Sequence, residues 1–149
     1  MIAFDTNVFV YATASGSDDK VTRARNLIAR AMQTGTAVLL LQTLAEFSSV
    51  AIRKAKIPPD TICTIVAAWL AVLPVRGADD GDLLSALDAV RAHRLAFWDT
   101  MLWAYAQRAG VSHLLTEDLQ DGFSLQDVTF INPFKRENGP LIDKLLPRS

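Results

Sequence analysis

A single cysteine, Cys63, stands in the chain, so an internal disulfide is excluded and no covalent staple supports the fold. It lies on an apolar helical stripe, where it is expected to be a small buried hydrophobe. Histidine is nearly as scarce, with two residues, and no His/Cys cluster offers the ligand spacing of a zinc site. Neither sign of charge prevails: fifteen Lys and Arg face sixteen Asp and Glu, for a net charge of −1. That balance excludes recognition of nucleic acid through an overall basic field, so any such contact needs local basic patches or bound cations. No uncharged apolar run approaches the ~20 residues of a membrane-spanning helix. The start, Met1-Ile2-Ala3-Phe4-Asp5, lacks the basic and apolar segments of an export signal, and the expected setting is cytoplasmic. Internal repeats, low-complexity tracts and linkers are also missing.

What remains is a chain of 149 residues, half of them hydrophobic, enough for one domain with a buried sheet and helices packed on it. Ile2 to Phe4 is a short apolar run that stops at Asp5 and reads as a buried strand ending in an acid. From Lys20, Val21, Ala24, Ile28, Ala31 and Met32 recur with helical period, and Gly35 suits the stop. Residues 37–41 form a second apolar run, too short for a helix and right for a strand covered on both faces. Leu44, Phe47 and Ala51 share one side of a helix that runs to about Lys56 and is broken by Ile57-Pro58-Pro59. Asp60 is the expected N-cap of the next helix, whose stripe is Ile62, Ile65, Val66, Trp69, Leu70 and Leu73. Asp79 or Asp80 caps a helix carrying Leu83, Leu84, Leu87 and Val90, residues 99–109 form another, and residues 113–116 and 128–131 are late strands. Strands alternating with helices predict an α/β fold with a largely parallel sheet. In the tail, Leu141, Ile142, Leu145 and Leu146 suit one or two helical turns that dock on the domain or on a partner.

In open parallel sheets, ligands bind beyond the carboxyl ends of the strands. Asp5 follows the first strand, Glu46 sits in the first turns of the helix after the second, and Asp118 lies just past residues 113–116. Asp99 opens the helix before that strand. Each has a plainer reading: a turn for Asp5, a helix cap for Asp99, a solvated helix residue for Glu46. Their joint placement argues otherwise. Two carboxylates ~4 Å apart repel by roughly 1 kcal/mol in water and about 4 at an effective dielectric of 20, so a cluster must hold protons or a cation. Oxygen-only ligands favour Mg2+ or Mn2+ over zinc. Thr6, Asn7 and Thr116 carry groups suited to orienting the carboxylates from behind.

The ordered set Asp5-Thr6-Asn7, Glu46, Trp98-Asp99 and Leu114-Leu115-Thr116-Glu117-Asp118-Leu119-Gln120-Asp121-Gly122 resembles the PIN-domain nucleases, and within them the VapC toxins of type II toxin–antitoxin pairs. The likeness runs from Ile2 to about Pro133. It implies a three-layer fold, with a mostly parallel sheet of about five strands between helices, as a nuclease domain over residues 1–133. The tail at 134–149 departs from the family pattern and has no implied role. The resemblance assigns Asp5, Glu46, Asp99 and Asp118 to the catalytic, metal-binding positions, with Mg2+ or Mn2+ as cofactor. Asp121 becomes an accessory acid or, equally, a solvent-exposed loop residue. The implied partners are an RNA substrate, a second copy in a homodimer and a cognate antitoxin whose carboxyl-terminal segment fills the groove.

The implied chemistry is endoribonucleolytic: Asp5, Glu46 and Asp99 hold one ion, and Asp118 positions it or a second ion ~3.5–4 Å away. Attack by water leaves 5′-phosphate and 3′-hydroxyl ends. Arg23, Arg25, Arg30, Arg53, Lys54, Lys56, Arg91 and Arg94 are candidate phosphate contacts, with Arg53 singled out because it follows Glu46 along one helix face. Trp69, Trp98 and Trp103 read as core or interface, and Trp98, beside Asp99, is the one tryptophan also placed to stack on a base. The helices between Leu44 and Leu73 offer an apolar surface for a dimer or an antitoxin, unless they bury it in the core. A receiver domain fails for want of a Lys ending the last strand, and an Asp-x-Asp phosphatase fails at Asn7. An RNA-processing PIN nuclease without an antitoxin and a non-catalytic PIN-like scaffold stay open.

Overall fold

The computed structural model describes residues 1–148, so Ser149, the last residue of the tail, lies outside it. Strand β1 (Ile2–Phe4) is buried throughout. Asp5 ends it and at once caps helix α1 (Thr6–Thr13). The sequence reading placed no helix there. At 8 residues, rich in β-branched and aromatic types, α1 has little propensity of its own. It is held by the Asp5 cap and by Phe9, whose ring lies 4.9 Å from Trp69 and 6.0 Å from Phe4.

Helix α2 (Asp19–Thr34) starts on Asp18, which accepts from Val21 N–H at 2.9 Å, and stops at Gly35, whose φ of 63° is the left-handed value glycine permits. The run at 37–41 yields strand β2 only at Leu39–Leu40, plus a parallel bridge from Ala37 to Ile2. Leu41 has already turned into helix α3 (Leu41–Arg53) and is exposed, and Thr43 Oγ1 holds that turn by donating to Leu40 O at 2.8 Å.

Helix α4 (Pro59–Leu70) corrects the expected cap: Pro58 occupies that position, Pro59 opens the helix and Asp60 lies in the first turn. Proline suits this start because its missing N–H would be unsatisfied there anyway. Cys63 is exposed rather than buried. The inward residues are Ile62 and Trp69, and one step from Ile62 rotates Cys63 by about 100° around the helix.

Strand β3 (Val75–Arg76), unforeseen at two residues, pairs parallel with β2. Helix α5 (Asp80–His93) begins in a reciprocal capping box: Asp82 N–H donates to Asp79 at 3.0 Å, and Asp79 N–H donates to Asp82 at 2.8 Å. Its leucines Leu83, Leu84 and Leu87 stay exposed, while Ala86 and Ala89 make the close approach to helix α6 (Phe97–Arg108). Strands β4 (His113–Leu115), β5 (Ser124–Leu125) and β6 (Val128–Ile131) complete the sheet. Its order is β1-β4-β6-β5, parallel except for β5, and the Ile2–Ala37 bridge joins it to the β2-β3 pair.

Alternation along the strands sends side chains to two cores. Ile2, Phe4, Leu115 and Ile131 pack with Phe9, Leu27, Phe47 and Trp69 on one side. Ala3, Leu114 and Phe130 pack with Leu102, Trp103 and Tyr105 on the other. The result is an α/β fold in three layers, with α1 to α4 on one face of the sheet and α5 and α6 on the other. The apolar residues Leu44, Phe47, Ile62, Trp69 and Leu73 are thereby core, which accounts for most of the stripe read between Leu44 and Leu73. The tail folds back as helix α7 (Gly139–Leu145), and Ile142 and Leu146 join the first core.

Candidate metal centre and active-site cleft

Register brings the first two site residues together. Phe4 pairs with Leu115 in the parallel β1–β4 ladder, so Asp5 and Thr116 leave the sheet side by side at its carboxyl edge. Thr116 Oγ1 donates to Asp5 Oδ2 at 2.7 Å and accepts from Asp118 N–H at 3.1 Å. The other Asp5 oxygen accepts from Thr6 N–H at 2.6 Å. Asn7 Nδ2 reaches Asp118 Oδ2 at 3.1 Å and Asp5 Oδ2 at 3.3 Å, so one amide ties the ends of β1 and β4 together. Glu46, within α3, accepts from Thr6 Oγ1 at 2.8 Å and from Gln42 Nε2 at 2.8 Å. Asp99, in the first turn of α6, closes the ring. Asp5, Thr6, Asn7, Glu46, Asp99 and Asp118 line a single open cleft of about 390 Å³, with Val10 and Tyr11 on its wall.

The electrostatics are those of uncompensated negative charge. Asp5 is 9% exposed. Burial pushes its carboxyl up to about 6; the bonds from Thr116 and Thr6 offset part of the rise, and the charges of Asp118 and Glu46 add to it. Asp99 is raised as well, by burial first and then by Asp118 and Glu46. Among the described residues no Lys, Arg or His forms an ion pair with any of the four acids.

Nor do three acids, histidines or cysteines among the described residues already converge tightly enough to cage an ion. The carboxylates share a cleft, but the oxygens of Asp5, Glu46 and Asp118 are turned to Thr6, Asn7, Gln42 and Thr116. The donor set still suits a hard divalent cation: it is all oxygen, it is short of positive charge, and Asn7 Oδ1 is buried at the cleft without a hydrogen-bond partner.

Asp121 stands apart. Its carboxylate accepts from Asn132 N–H at 2.7 Å and Asn138 Nδ2 at 2.9 Å and pairs with Lys135 at 3.1 Å, which ties the loop after β4 to the tail rather than to the cleft. Arg53 is exposed, bonded to Ser49 Oγ at 3.0 Å, and borders a groove with Thr6 and Glu46. Arg25 is a loop staple, donating to the carbonyls of Ala12, Ala14 and Gly16. Trp98 is 64% exposed next to Asp99, and Trp69 and Trp103 are buried.

The sequence reading overlooked Gln42, Tyr105 and Tyr11. Tyr105, fully buried, accepts from Gln42 N–H at 3.2 Å and donates to Gln42 Oε1 at 3.3 Å, aiming Gln42 at Glu46. The available signal was Gln42 at one helical turn before Glu46.

Residues 2–125 match the PIN domain family, and the chain belongs to that family. Among solved structures it is similar to the VapC20 toxin of Mycobacterium tuberculosis, a sarcin–ricin loop cleaving toxin (TM-score 0.64, 16% identity, over 79% of this chain and 90% of that one). It is equally similar to a toxin–antitoxin complex from Klebsiella pneumoniae (TM-score 0.64, 16% identity, over 89% of this chain and 98% of that one). No curated protein sequence matches the chain.

Proposed function

We propose that this PIN domain is a Mg2+- or Mn2+-dependent endoribonuclease serving as the toxin of a toxin–antitoxin pair, with Asp5, Glu46, Asp99 and Asp118 as the ion's ligands. The observation that carries the reading is four carboxylates lining one cleft with, among the described residues, no cationic side chain paired to them. When bound, the divalent ion supplies a Lewis acid that stabilises charge on a phosphate oxygen and eases deprotonation of water.

The chain's own groups do the positioning. Thr116 and Thr6 N–H fix the two Asp5 oxygens, Thr6 and Gln42 fix those of Glu46, and Asn7 sets the separation of Asp5 and Asp118. Among the described residues no His or Lys lines the cleft, so a carboxylate oxygen is the side-chain acceptor for the proton that leaves the attacking water. Water attacks phosphorus as the P–O3′ bond breaks, so the 3′ oxygen leaves as a hydroxyl and the phosphate stays on the 5′ oxygen. Trp98 offers a face for stacking a flanking base, and Arg53 a contact to phosphate.

Similarity to a toxin–antitoxin complex supports an antitoxin partner; association as a homodimer belongs to the same proposal. The deciding experiment is cleavage of single-stranded RNA by purified protein with Mg2+. Activity that is abolished by EDTA and falls to background in Asp5→Asn supports the reading. Wild-type activity in that variant misassigns the site, and no cleavage by the native protein leaves a binding scaffold. Growth arrest on expression, relieved by the product of a short adjoining reading frame, tests the toxin role.

A further inference from the structure

Next to Tyr11, which touches Lys20 and Phe134 on its lining, α2 and the tail enclose a second groove of about 430 Å³. Its charge is opposite to that of the cleft. Lys20, Arg23, Arg30, Arg136 and Arg148 line it, against the two carboxylates of Asp19 and Asp143. In a chain whose net charge is −1, this is a local concentration of cations and not a reflection of composition.

Arg30 shows that the groove is more than a solvated basic face. Its side chain is 8% exposed, which is unusual for arginine. One terminal nitrogen pairs with Asp143 at 2.9 Å. The other two nitrogens, Nε and Nη2, are buried and have no hydrogen-bond partner. Asp143 does not satisfy them: its Oδ1 meets only Nη1 of Arg30, and its Oδ2 accepts from Arg148 at 3.1 Å. A guanidinium with two adjacent N–H groups unmatched is a fork suited to two oxygens of one tetrahedral anion.

The groove is also joined to the cleft. Lys20, on its wall, bonds Glu117 at 2.5 Å and Tyr11 Oη at 3.3 Å. Tyr11 lines the acid cleft, and Glu117 is the neighbour of Asp118. A polyanion leaving the cleft along Tyr11 therefore meets Lys20 first and then the arginines. We propose that this groove binds backbone phosphates of the RNA strand outside the scissile bond, with Arg30 as the buried anchor and Arg23 and Arg136 as outer contacts. The tail, beyond the span that matches the family, thus supplies half of a substrate-binding surface. The proposal rests on the nuclease reading for its ligand.

The test is the affinity of a fluorescent single-stranded RNA, measured in an Asp5→Asn background that leaves the RNA uncut. Adding Arg23→Ala, at a half-buried position, and Arg136→Ala, at an exposed one, is expected to weaken binding about 10-fold. The slope of log affinity against log salt should fall by about 0.7 per phosphate contact removed. Arg30→Gln should weaken it further, and the paired surface variant keeps the test valid if Arg30→Gln unfolds. Unchanged affinity and salt slope in the Arg23/Arg136 variant, with the Asp5→Asn parent still binding RNA, overturns the groove assignment alone. A parent that binds no RNA overturns the nuclease reading and the groove together. Polyglutamate is titrated in parallel: binding as tight as RNA, weakened by the same substitutions, would make the groove a site for acidic peptide and contradict the assignment to phosphate.

Discussion

Thr116 Oγ1 donates to Asp5 Oδ2 across 111 positions of sequence, at 2.7 Å. The same hydroxyl accepts from Asp118 N–H, so one side chain orients two of the acids. Thr116→Val keeps the shape and removes both bonds. A buried carboxylate oxygen and a backbone N–H then each lose a partner, at a cost of about 1–3 kcal/mol. Divalent-ion affinity should fall 10–100-fold, as when groups behind a ligand are removed, and Thr116→Ser should restore most of it. Calorimetric titration with Mn2+ checks both variants.

Without metal, pH acts on stability in opposite directions through two acids. Asp5 titrates at about 6 in the fold against an ordinary 3.8, so the folded state holds the proton more tightly. Its contribution is complete below 3.8 and is lost as pH rises through about 6, a change of about 3 kcal/mol. Burial raises Asp82, but Arg108 and the Asp79 N–H outweigh it and leave the carboxyl below its ordinary value. Its contribution is present above 3.8 and lost as pH falls below it. In EDTA, the melting temperature is therefore expected to peak between about 4 and 6, and Mn2+ should flatten the decline on the alkaline side. A monotonic rise to pH 8 in EDTA would refute this.

The α5–α6 pair depends on a bidentate contact. Asp82 is 3% exposed and receives Arg108 Nε at 2.9 Å and Nη2 at 2.8 Å, while Arg108 also reaches Gly77 O at 2.7 Å. Arg108→Ala leaves the Asp82 carboxylate with the Asp79 N–H as its remaining donor and should lower stability, with Asp82→Asn costing less. Urea unfolding measures both, and equal stability would show that solvent replaces the pair.

The tail is expected to be integral to the folded unit. Leu146 is fully buried and Ile142 is 2% exposed. Ile142→Ala should cost about 2–5 kcal/mol and lower the melting temperature by several degrees. An unchanged melting curve for a chain ended at Asn138 would show the tail to be an appendage.

How much of this was legible beforehand depended on scale. The positions of Asp5, Asp99 and Asp118 at one sheet edge were readable because each lies next to the end of a strand or the start of a helix that apolar periodicity marks, and Glu46 because it lies in the second turn of a helix so marked. Helix α1 was not, since Thr6 to Thr13 carry no stripe and fold through the Asp5 cap and the Phe9 contacts. The two-residue strands β3 and β5 leave no periodic trace. Leu83, Leu84 and Leu87 matched the helical period but face outward, because Ala86 and Ala89 let α6 approach the other side. Cys63 was misjudged for a similar reason: hydrophobicity located the helix but not the rotation about its axis. Tyr105 was invisible as a site residue because it acts through Gln42, a link that exists only in three dimensions.

The most direct measurement is Mn2+ binding followed by electron paramagnetic resonance in the native protein and in Asp5→Asn, Glu46→Gln and Asp99→Asn. If the acids jointly hold one hard cation, the native protein binds Mn2+ and loses free-ion signal stoichiometrically, Mg2+ competes, and each variant releases the ion. Free-ion signal that persists at millimolar protein, or variants that bind as the native chain does, would contradict the shared site.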